Sequence, residues 1–121
     1  MFVYYNRNPK GDDNANDCVC RAIATALELN YYDVDYMLYN NSKQQSCDSL
    51  TKDCYRKLLE NDFGLKSHFG YGKTVNEIAR RYSHNRVIMR IYAHLTTSLY
   101  GTVYDIFDCT NEIVDEYWVI R

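Results

Sequence analysis

The sequence has little proline and glycine, no long apolar run and almost no net charge. With 1 Pro and 5 Gly in 121 residues, it lacks the composition of a linker, a collagen-like repeat or a disordered tail. No apolar stretch approaches the roughly 18 residues of a membrane span, so no transmembrane helix is predicted. The net charge of -2 provides no overall attraction to nucleic acid or anionic lipid, so only a local patch could bind either.

The length, the first residues and the cysteines bound the class of protein. A chain of 121 residues with 46% apolar residues fits one globular domain over 1–121, either an enzyme or a binding module. Residues 1–7 lack the regions of a signal peptide, so we expect a cytoplasmic protein. The 5 cysteines are an odd number, which leaves at least one free thiol, and in the cytoplasm we expect all of them to be reduced.

The first half of the chain has the apolar spacing of helices. Asp17 suits the N-cap of a helix over 18–29, whose apolar residues recur at three- and four-residue intervals. A second helix is predicted over 33–39, and the polar run 40–46 is expected to end it. A third helix is predicted over 49–61, and its inward-facing residues are expected to be Leu50, Cys54, Leu58 and Leu59.

The second half of the chain changes to the alternation of strands. One more helix is predicted over 75–82, and strands are predicted over 87–92, 94–99, 102–107 and 116–120, with a short strand at the start of the chain over 2–5. The two residues Tyr100 and Gly101 suit a tight hairpin turn. The chain is therefore predicted to be an α+β domain in which N-terminal helices pack on a small C-terminal antiparallel sheet.

A cysteine at the start of the first helix is the strongest local signal for chemistry. Cys18 follows a polar loop, and the free N–H groups and positive dipole at a helix start lower the pKa of a thiol there. A thiolate at this position suits attack on a carbonyl carbon. Cys20 points about 200° around the helix from Cys18 and is expected to pack in the core. The alternative is that both cysteines are ordinary buried residues.

A histidine and an aspartate on the predicted hairpin supply the other two parts of a catalytic triad. His94 begins the hairpin, and strand alternation places Asp105 on the same face, where it can accept the second imidazole N–H. Asp108 becomes the candidate instead if a bulge shifts the register by one residue. His68 and His84 lie in polar, loop-like contexts and suit this role less well.

The order of these residues resembles that of papain-like cysteine peptidases. The pattern Asp-Cys-x-x-Arg-Ala-Ile-Ala, then His, then Tyr-Asp-x-aromatic-Asp is similar to small papain-like proteins of bacteriophage and bacterial genomes, and it covers the chain from Asp17 to Trp118. The resemblance implies a papain-like fold and the activity of a thiol protease or related hydrolase. It also implies a viral protein, encoded by a bacteriophage. It also implies that Phe107 shields the contact between His94 and Asp105 from water.

Two departures from the papain pattern concern the oxyanion hole and the histidine. Ala93 precedes His94 where glycine is common, and Asp12 stands where a glutamine would precede Cys18 by six positions. An ionised aspartate cannot donate a hydrogen bond to an oxyanion. We therefore expect the Cys18 backbone N–H and a side-chain amide to serve, with Asn14 preferred to Asn16.

Other motifs predict less. The histidine and cysteine spacings do not match a zinc site, so no metal is expected, and hydrolysis through a thioester requires no cofactor. The run 72–74 resembles the end of a phosphate loop, but Ser67 stands where its first glycine would be, so a turn before a helix is predicted. Six basic residues lie between positions 66 and 90, and four aromatic residues lie among them up to position 92. A third hypothesis is therefore a basic, aromatic face that binds nucleic acid, with binding that weakens as salt is added.

These features lead to two main hypotheses. The first is a cysteine hydrolase of the peptidase, isopeptidase or amidase type, in which Cys18 attacks, His94 transfers the proton and Asp105 orients His94. The second is a non-catalytic phage-type protein that uses the same scaffold to bind a host protein in host takeover or anti-defence. In either case we expect a protein or peptide partner, such as a host bacterial protein, and neither a membrane nor nucleic acid.

Overall fold

The computed structural model describes all 121 residues as an α+β domain with four helices and one six-stranded mixed sheet. The helices are α1 Cys18–Leu27, α2 Tyr31–Gln45, α3 Lys52–Lys57, which continues as one π-helical turn over Leu58–Asp62, and α4 Val75–Arg81. The strands are β1 Phe2–Tyr4, β2 Ser67–Phe69, β3 Arg86–Ile91, β4 His94–Leu99, β5 Thr102–Asp105 and β6 Glu116–Ile120. None of the helices is long and apolar enough to cross a membrane.

The sheet has the strand order β1-β5-β4-β3-β6-β2, and the chain's two halves both contribute to it. Strand β1 pairs in parallel with β5, whereas the other neighbours are antiparallel. The prediction of a purely antiparallel, C-terminal sheet is therefore wrong, because β1 adds a parallel edge and β2, which was not predicted, adds the other edge. Such long-range pairings leave no local signature in three-residue strands.

The two faces of the sheet carry separate apolar cores. Helices α1, α2 and α3 cover one face, where Ile23, Leu59 and Trp118 are fully buried. Helix α4 and the segment before β6 cover the other face through residues such as Ile78 and Val114. Helix α1 is buried beyond the one face that its apolar spacing predicts, since the run Val19–Ala26 is buried throughout and includes the polar residues Arg21 and Thr25.

Two helices depart from their predicted bounds by more than two residues. Helix α2 continues through the polar run to Gln45, because Asn41 is buried and donates a hydrogen bond to the Cys54 carbonyl at 2.8 Å. The third helix begins at Lys52 rather than 49, and Leu50, which was predicted to face inward, is 39% exposed. Both differences from the predicted bounds arise at the contact between α2 and α3, because this contact determines which residues of their polar faces are buried.

The cysteines are not all reduced. Cys47 and Cys54 form a disulfide, and Cys18, Cys20 and Cys109 are free. The expectation of five thiols is therefore wrong, because the turn between α2 and α3 brings two cysteines together with Cα atoms 5.7 Å apart.

Candidate active site

The cysteine predicted as nucleophile lies where the helices meet the sheet. Cys18 is the first residue of α1 and is partly exposed at a cavity of about 290 Å³ that His94 also lines. Cys20 is buried, and its thiol donates to the Tyr31 carbonyl at 3.3 Å. Burial raises the pKa of Cys20 to about 12, so Cys18 is the reactive candidate of the two.

His94 is held at the start of β4, directly after a tight turn. The turn residue before it, Ala93, has a φ of 52°, which is in the left-handed region that favours glycine. The histidine side chain is 12% exposed, and its Nε2 lies 2.7 Å from the Asp105 Oδ2. The Nδ1 side of the ring is thereby left for Cys18.

Strand pairing brings Asp105 to His94. Ser98 lies opposite Val103, so alternation places His94 and Asp105 on the same face of the β4–β5 hairpin. Asp105 is buried and accepts a hydrogen bond from the Ile106 N–H at 2.7 Å.

The other candidate carboxylate faces away from the site. Asp108 is exposed and accepts hydrogen bonds from the backbone N–H and the hydroxyl of Thr110, at 3.0 and 2.6 Å. No bulge shifts the β4–β5 register, since Leu99 lies opposite Thr102 as predicted. The structure therefore brings Asp105, and not Asp108, into contact with His94.

The surroundings of the three residues favour a charged pair between thiolate and imidazolium. Burial raises the pKa of the Cys18 thiol, but the neighbouring His94 side chain and Leu95 N–H lower it by more. Burial lowers the pKa of His94, but the hydrogen bond with Asp105 and the neighbouring Cys18 thiol raise it to about 9. Burial raises the pKa of Asp105, and the hydrogen bond and charge of His94 hold it below its ordinary value. All three directions favour a thiolate beside an imidazolium near neutral pH.

A buried arginine joins α1 to the sheet behind these residues. Arg21 donates from Nε to Asp17 Oδ1 at 2.7 Å and from Nη1 to Asp105 Oδ1 at 3.3 Å. Asp17 also accepts hydrogen bonds from Asn8 at 3.0 Å and from the Tyr31 hydroxyl at 2.7 Å. Asp17 is the N-cap residue of α1 as predicted, but its carboxylate does not bond the first helical turn, because these three donors occupy it.

The role of Arg21 was missed in the sequence. Asp17 and Arg21 are four residues apart, which is the spacing of a surface ion pair on a helix. The signal that could have distinguished a buried pair is the apolar face around Arg21, since its neighbours Cys20 and Ala22 are both buried. The acceptor on the sheet, Asp105, lies 84 residues further along the chain, and no local pattern indicates it.

An aromatic ring covers the histidine. The rings of Phe107 and His94 have centroids 4.8 Å apart and are tilted by 51°. Phe107 itself is 46% exposed, so it lies between the imidazole and solvent. This is the position that the papain resemblance implies for a residue that shields the hydrogen bond between His94 and Asp105.

The two asparagines suggested for the oxyanion hole lie in different places. Asn14 is exposed, and its N–H donates to Asp12 Oδ1 at 2.9 Å in a tight turn. That turn keeps Asn14 out of the lining of the cavity beside Cys18, whereas Asn16 forms part of the lining. The structure thus brings Asn16, and not the preferred Asn14, to the site.

The remaining sequence motifs lie elsewhere. His68 stacks on Tyr117 with ring centroids 5.1 Å apart, and His84 is exposed. No group of three or more His, Cys, Asp or Glu residues is arranged to hold a metal ion. The run 72–74 leads into α4, where Thr74 and Glu77 form a capping box.

The basic segment is divided among several structural roles. Arg86 donates to the Ala26 carbonyl at 2.9 Å, and Lys73 pairs with Glu77. Arg90 lies at the cavity beside Cys18. The six basic residues therefore do not form one continuous face.

The fold and the site define an α+β domain with a cysteine, a histidine and an aspartate gathered at the junction of helix and sheet. Comparisons with protein-family models, with curated proteins and with solved structures find no match to this chain.

Proposed function

We propose that the chain is a papain-like cysteine hydrolase that cleaves an amide, isopeptide or related acyl bond of a protein or peptide. The observation that carries this proposal is the hydrogen bond between His94 and Asp105 at the cavity that Cys18 and His94 both line, with a lowered pKa of the thiol and a raised pKa of the imidazole. Buried groups with such paired shifts are common at sites of nucleophilic catalysis.

The reaction requires no component beyond these residues, the substrate and water. The Cys18 thiolate attacks the carbonyl carbon, and the His94 imidazolium gives its proton to the leaving amine as the C–N bond breaks. A thioester is left on Cys18. His94, now neutral, takes a proton from water as the water attacks the thioester, which releases the acid and restores the Cys18 thiolate beside the His94 imidazolium. Asp105 holds the imidazole in the required orientation throughout.

The developing oxyanion needs hydrogen-bond donors close to Cys18. We propose the Cys18 backbone N–H and the side-chain amide of Asn16, since the first N–H groups of a helix have no partner within it and the Asp17 side chain does not cap them. An Asn16→Ala variant is expected to lose activity by about 10²-fold, as removal of one oxyanion donor does elsewhere. Asn14→Ala is the matched control and should leave activity unchanged.

The experiment that tests the nucleophile is the pH dependence of alkylation by iodoacetamide, followed at each cysteine by peptide mass spectrometry. Cys18 should react well below its ordinary pKa of about 8.5, and in His94→Ala its reaction should shift to higher pH. Cys20 and Cys109 serve as internal controls, since burial raises the pKa of each to about 12.

The matched histidine control is His84→Ala, because His84 is exposed and precedes β3, at the opposite end of that strand from His94. It should leave the Cys18 profile unchanged. An ordinary thiol profile at Cys18 that does not respond to His94→Ala would remove the basis for a hydrolase.

A second candidate function is supported by exposed tyrosines on α2. Tyr32, Tyr36 and Tyr39 are 52%, 66% and 57% exposed and follow the three- and four-residue spacing of one helix face. Exposed aromatic residues of this kind are enriched at protein interfaces. The alternative proposal is therefore a phage-type protein that blocks a host protein in host takeover or anti-defence.

The two functions separate in a bacterial host that expresses the chain. The measurement is inhibition of the host's growth by the expressed chain. If this inhibition persists in Cys18→Ala and is lost in Tyr36→Ala, the binding function is supported. If it is lost in Cys18→Ala and His94→Ala, the hydrolase is supported.

Host cytoplasm is the proposed place of action. Thiols are kept reduced there, which keeps the free Cys18 thiol available as the nucleophile.

A further inference from the structure

The cavity beside Cys18 has a basic lining. It measures about 290 Å³, and none of its ten lining residues is an acid. Two of them are cations on different elements, Lys52 at the start of α3 and Arg90 on β3. The chain as a whole has a net charge of -2, so this local excess of positive charge does not follow from composition.

One of these cations is unpaired, and the other is paired through one nitrogen only. Lys52 forms no ion pair with any carboxylate of the chain. Arg90 contacts Asp115 through Nη1 alone, at 3.0 Å, and that carboxylate is 52% exposed. Glu116, which lies opposite Arg90 in the register of β3 and β6, is paired with Arg56. Lys52 therefore gives the cavity an uncompensated positive charge next to the nucleophile.

A neighbouring cavity has the opposite charge. It measures about 490 Å³, and Asp35 and Asp48 line it together with the exposed tyrosines of α2. Asn16 and Leu50 line both cavities, so the two adjoin at the start of α1. An acidic group of a substrate is attracted to the basic cavity and repelled from the acidic cavity. This difference in charge defines the direction in which the substrate binds.

We propose that the cavity beside Cys18 is a specificity site for an acidic side chain of the peptide substrate, bound by Lys52 and Arg90. This inference rests on the proposed hydrolase function and names its substrate class. The Arg90 guanidinium offers a planar set of donors to a carboxylate, and the Lys52 ammonium adds a mobile charge at the rim. Tyr55 and Leu50 supply apolar surface for the methylene groups of the side chain.

The test compares two small alkylating agents that differ in charge. Iodoacetate carries a carboxylate and iodoacetamide a neutral amide, and with either reagent the Cys18 thiolate forms an S–C bond as iodide leaves with the electrons of the C–I bond. At pH 7 and low salt, the ratio of the iodoacetate rate to the iodoacetamide rate should fall about fivefold in Lys52→Gln, which is the effect of one charge about 4 Å away at the dielectric constant of water. The ratio should fall again in Lys52→Glu, and in the parent protein it should fall with added salt.

The matched control is Lys66→Gln, because Lys66 is exposed and lies outside the cavity. It should leave the ratio unchanged. The imidazolium of His94 also attracts iodoacetate, but it is present in every variant and cancels from the comparison.

A second set of probes tests the side chain. Acetyl-Glu-Ala and acetyl-Ala-Glu chloromethyl ketones are compared with the two probes in which Gln replaces Glu. One Glu probe should inactivate the protein several-fold faster than its Gln counterpart, and Lys52→Gln and Arg90→Gln should each reduce that preference. Equal rates for every Glu and Gln pair would overturn the assignment.

The two proposals fail in different ways. If Cys18 shows the low-pH reactivity that depends on His94 but the charge ratio ignores Lys52 and Arg90, the acidic specificity is wrong and the hydrolase stands. If the low-pH reactivity itself is absent, the hydrolase is wrong.

Discussion

Replacement of Arg21 by methionine is expected to destabilise the protein strongly. The Arg21 side chain is 9% exposed, and its two carboxylate partners, on Asp17 and Asp105, are 10% and 3% exposed. Methionine keeps most of the volume and the apolar packing of arginine but removes the charge. The change thus leaves two buried carboxylates that have lost a counter-charge, rather than an empty cavity.

The magnitude follows from burial. Removal of one partner of a buried ion pair costs about 3–5 kcal/mol, because the remaining charge is desolvated without compensation. His94 still faces Asp105 and limits the loss on the sheet side, whereas Asp17 keeps only its neutral donors, Asn8 and Tyr31. We therefore expect the free energy of unfolding to fall by about 3 kcal/mol. A domain with an ordinary stability of about 5–15 kcal/mol remains folded after such a loss.

The assay is urea unfolding at pH 7, followed by circular dichroism. Arg80→Met is the matched control, since Arg80 is exposed on α4, and its effect should stay within about 0.5 kcal/mol. Combining Arg21→Met with Asp17→Asn should recover part of the loss, because the second change removes the orphaned charge. A loss below about 1 kcal/mol in Arg21→Met would show that water reaches the two carboxylates, and the account of a buried network would be wrong.

The same variant also has a consequence at Cys18. The positive charge of Arg21 is one of the influences that lower the pKa of the Cys18 thiol. In Arg21→Met the alkylation profile of Cys18 should therefore move to higher pH, in the same direction as in His94→Ala but by less. A purely structural role of Arg21 would change stability and leave this profile where it is.

Further predictions concern the histidine, the turn before it and the disulfide. The pKa of His94, measured by NMR, should be about 9 and should fall in Asp105→Asn, and hydrolysis should decline as pH rises through 9, because the leaving group then loses its proton donor. In Cys18→Ala there is no thiol at position 18 to release a proton on folding. Where the pKa of His94 stays raised in this variant, the free energy of unfolding should fall as pH rises from about 6.5 to that pKa. A rise in the free energy of unfolding over that range would contradict this prediction. Ala93→Gly should raise the free energy of unfolding by up to about 1 kcal/mol in urea titrations, since the φ of 52° disfavours alanine, and destabilisation would contradict this. Reduction of the Cys47–Cys54 bond, which spans 7 positions, should lower the free energy of unfolding by about 2.4 kcal/mol, the value expected from chain entropy. Cys47→Ser should have the same free energy of unfolding as the reduced protein.

The parts of the fold that sequence reasoning predicted well depend on local signals. The bounds of β4 and β6 and the turn between β4 and β5 are confirmed, and both turn residues, Tyr100 and Gly101, have a positive φ. Such a turn follows from two residues and the alternation on each side of them. The buried face of α1 is confirmed for the same reason, because its spacing is contained within one helix.

The parts that were wrong depend on contacts between distant segments. Strand β2 has three residues, and it is defined by its pairing with β6 almost fifty positions later. The polar end of α2 was expected to be loop, since nothing near Asn41 in sequence shows that Cys54 will accept its hydrogen bond. A polar residue in a helix interior is neutral in local propensity, and only the partner decides its burial.

The candidate site combines both kinds of information, and Asp105 shows how. Local alternation is enough to place Asp105 on the face of His94, but Asp108, three residues later, competes with it in any argument from sequence. The structure separates the two through three distant segments that meet at Asp105. β4 supplies His94, α1 supplies Arg21, and the chain just after β1 bonds the Asp105 carbonyl through the Tyr5 N–H at 2.8 Å.

The parallel pairing of β1, which was not predicted, is therefore part of what fixes the carboxylate. Register places Tyr4 beside Asp105, so β1 holds the end of β5 in line up to the residue that carries the acid. Beyond that point β5 ends and the chain is free of the sheet, and Asp108 bonds only its near neighbour Thr110. A carboxylate can orient a histidine when its own backbone is fixed, and in this chain the sheet edge formed by the first residues provides that constraint.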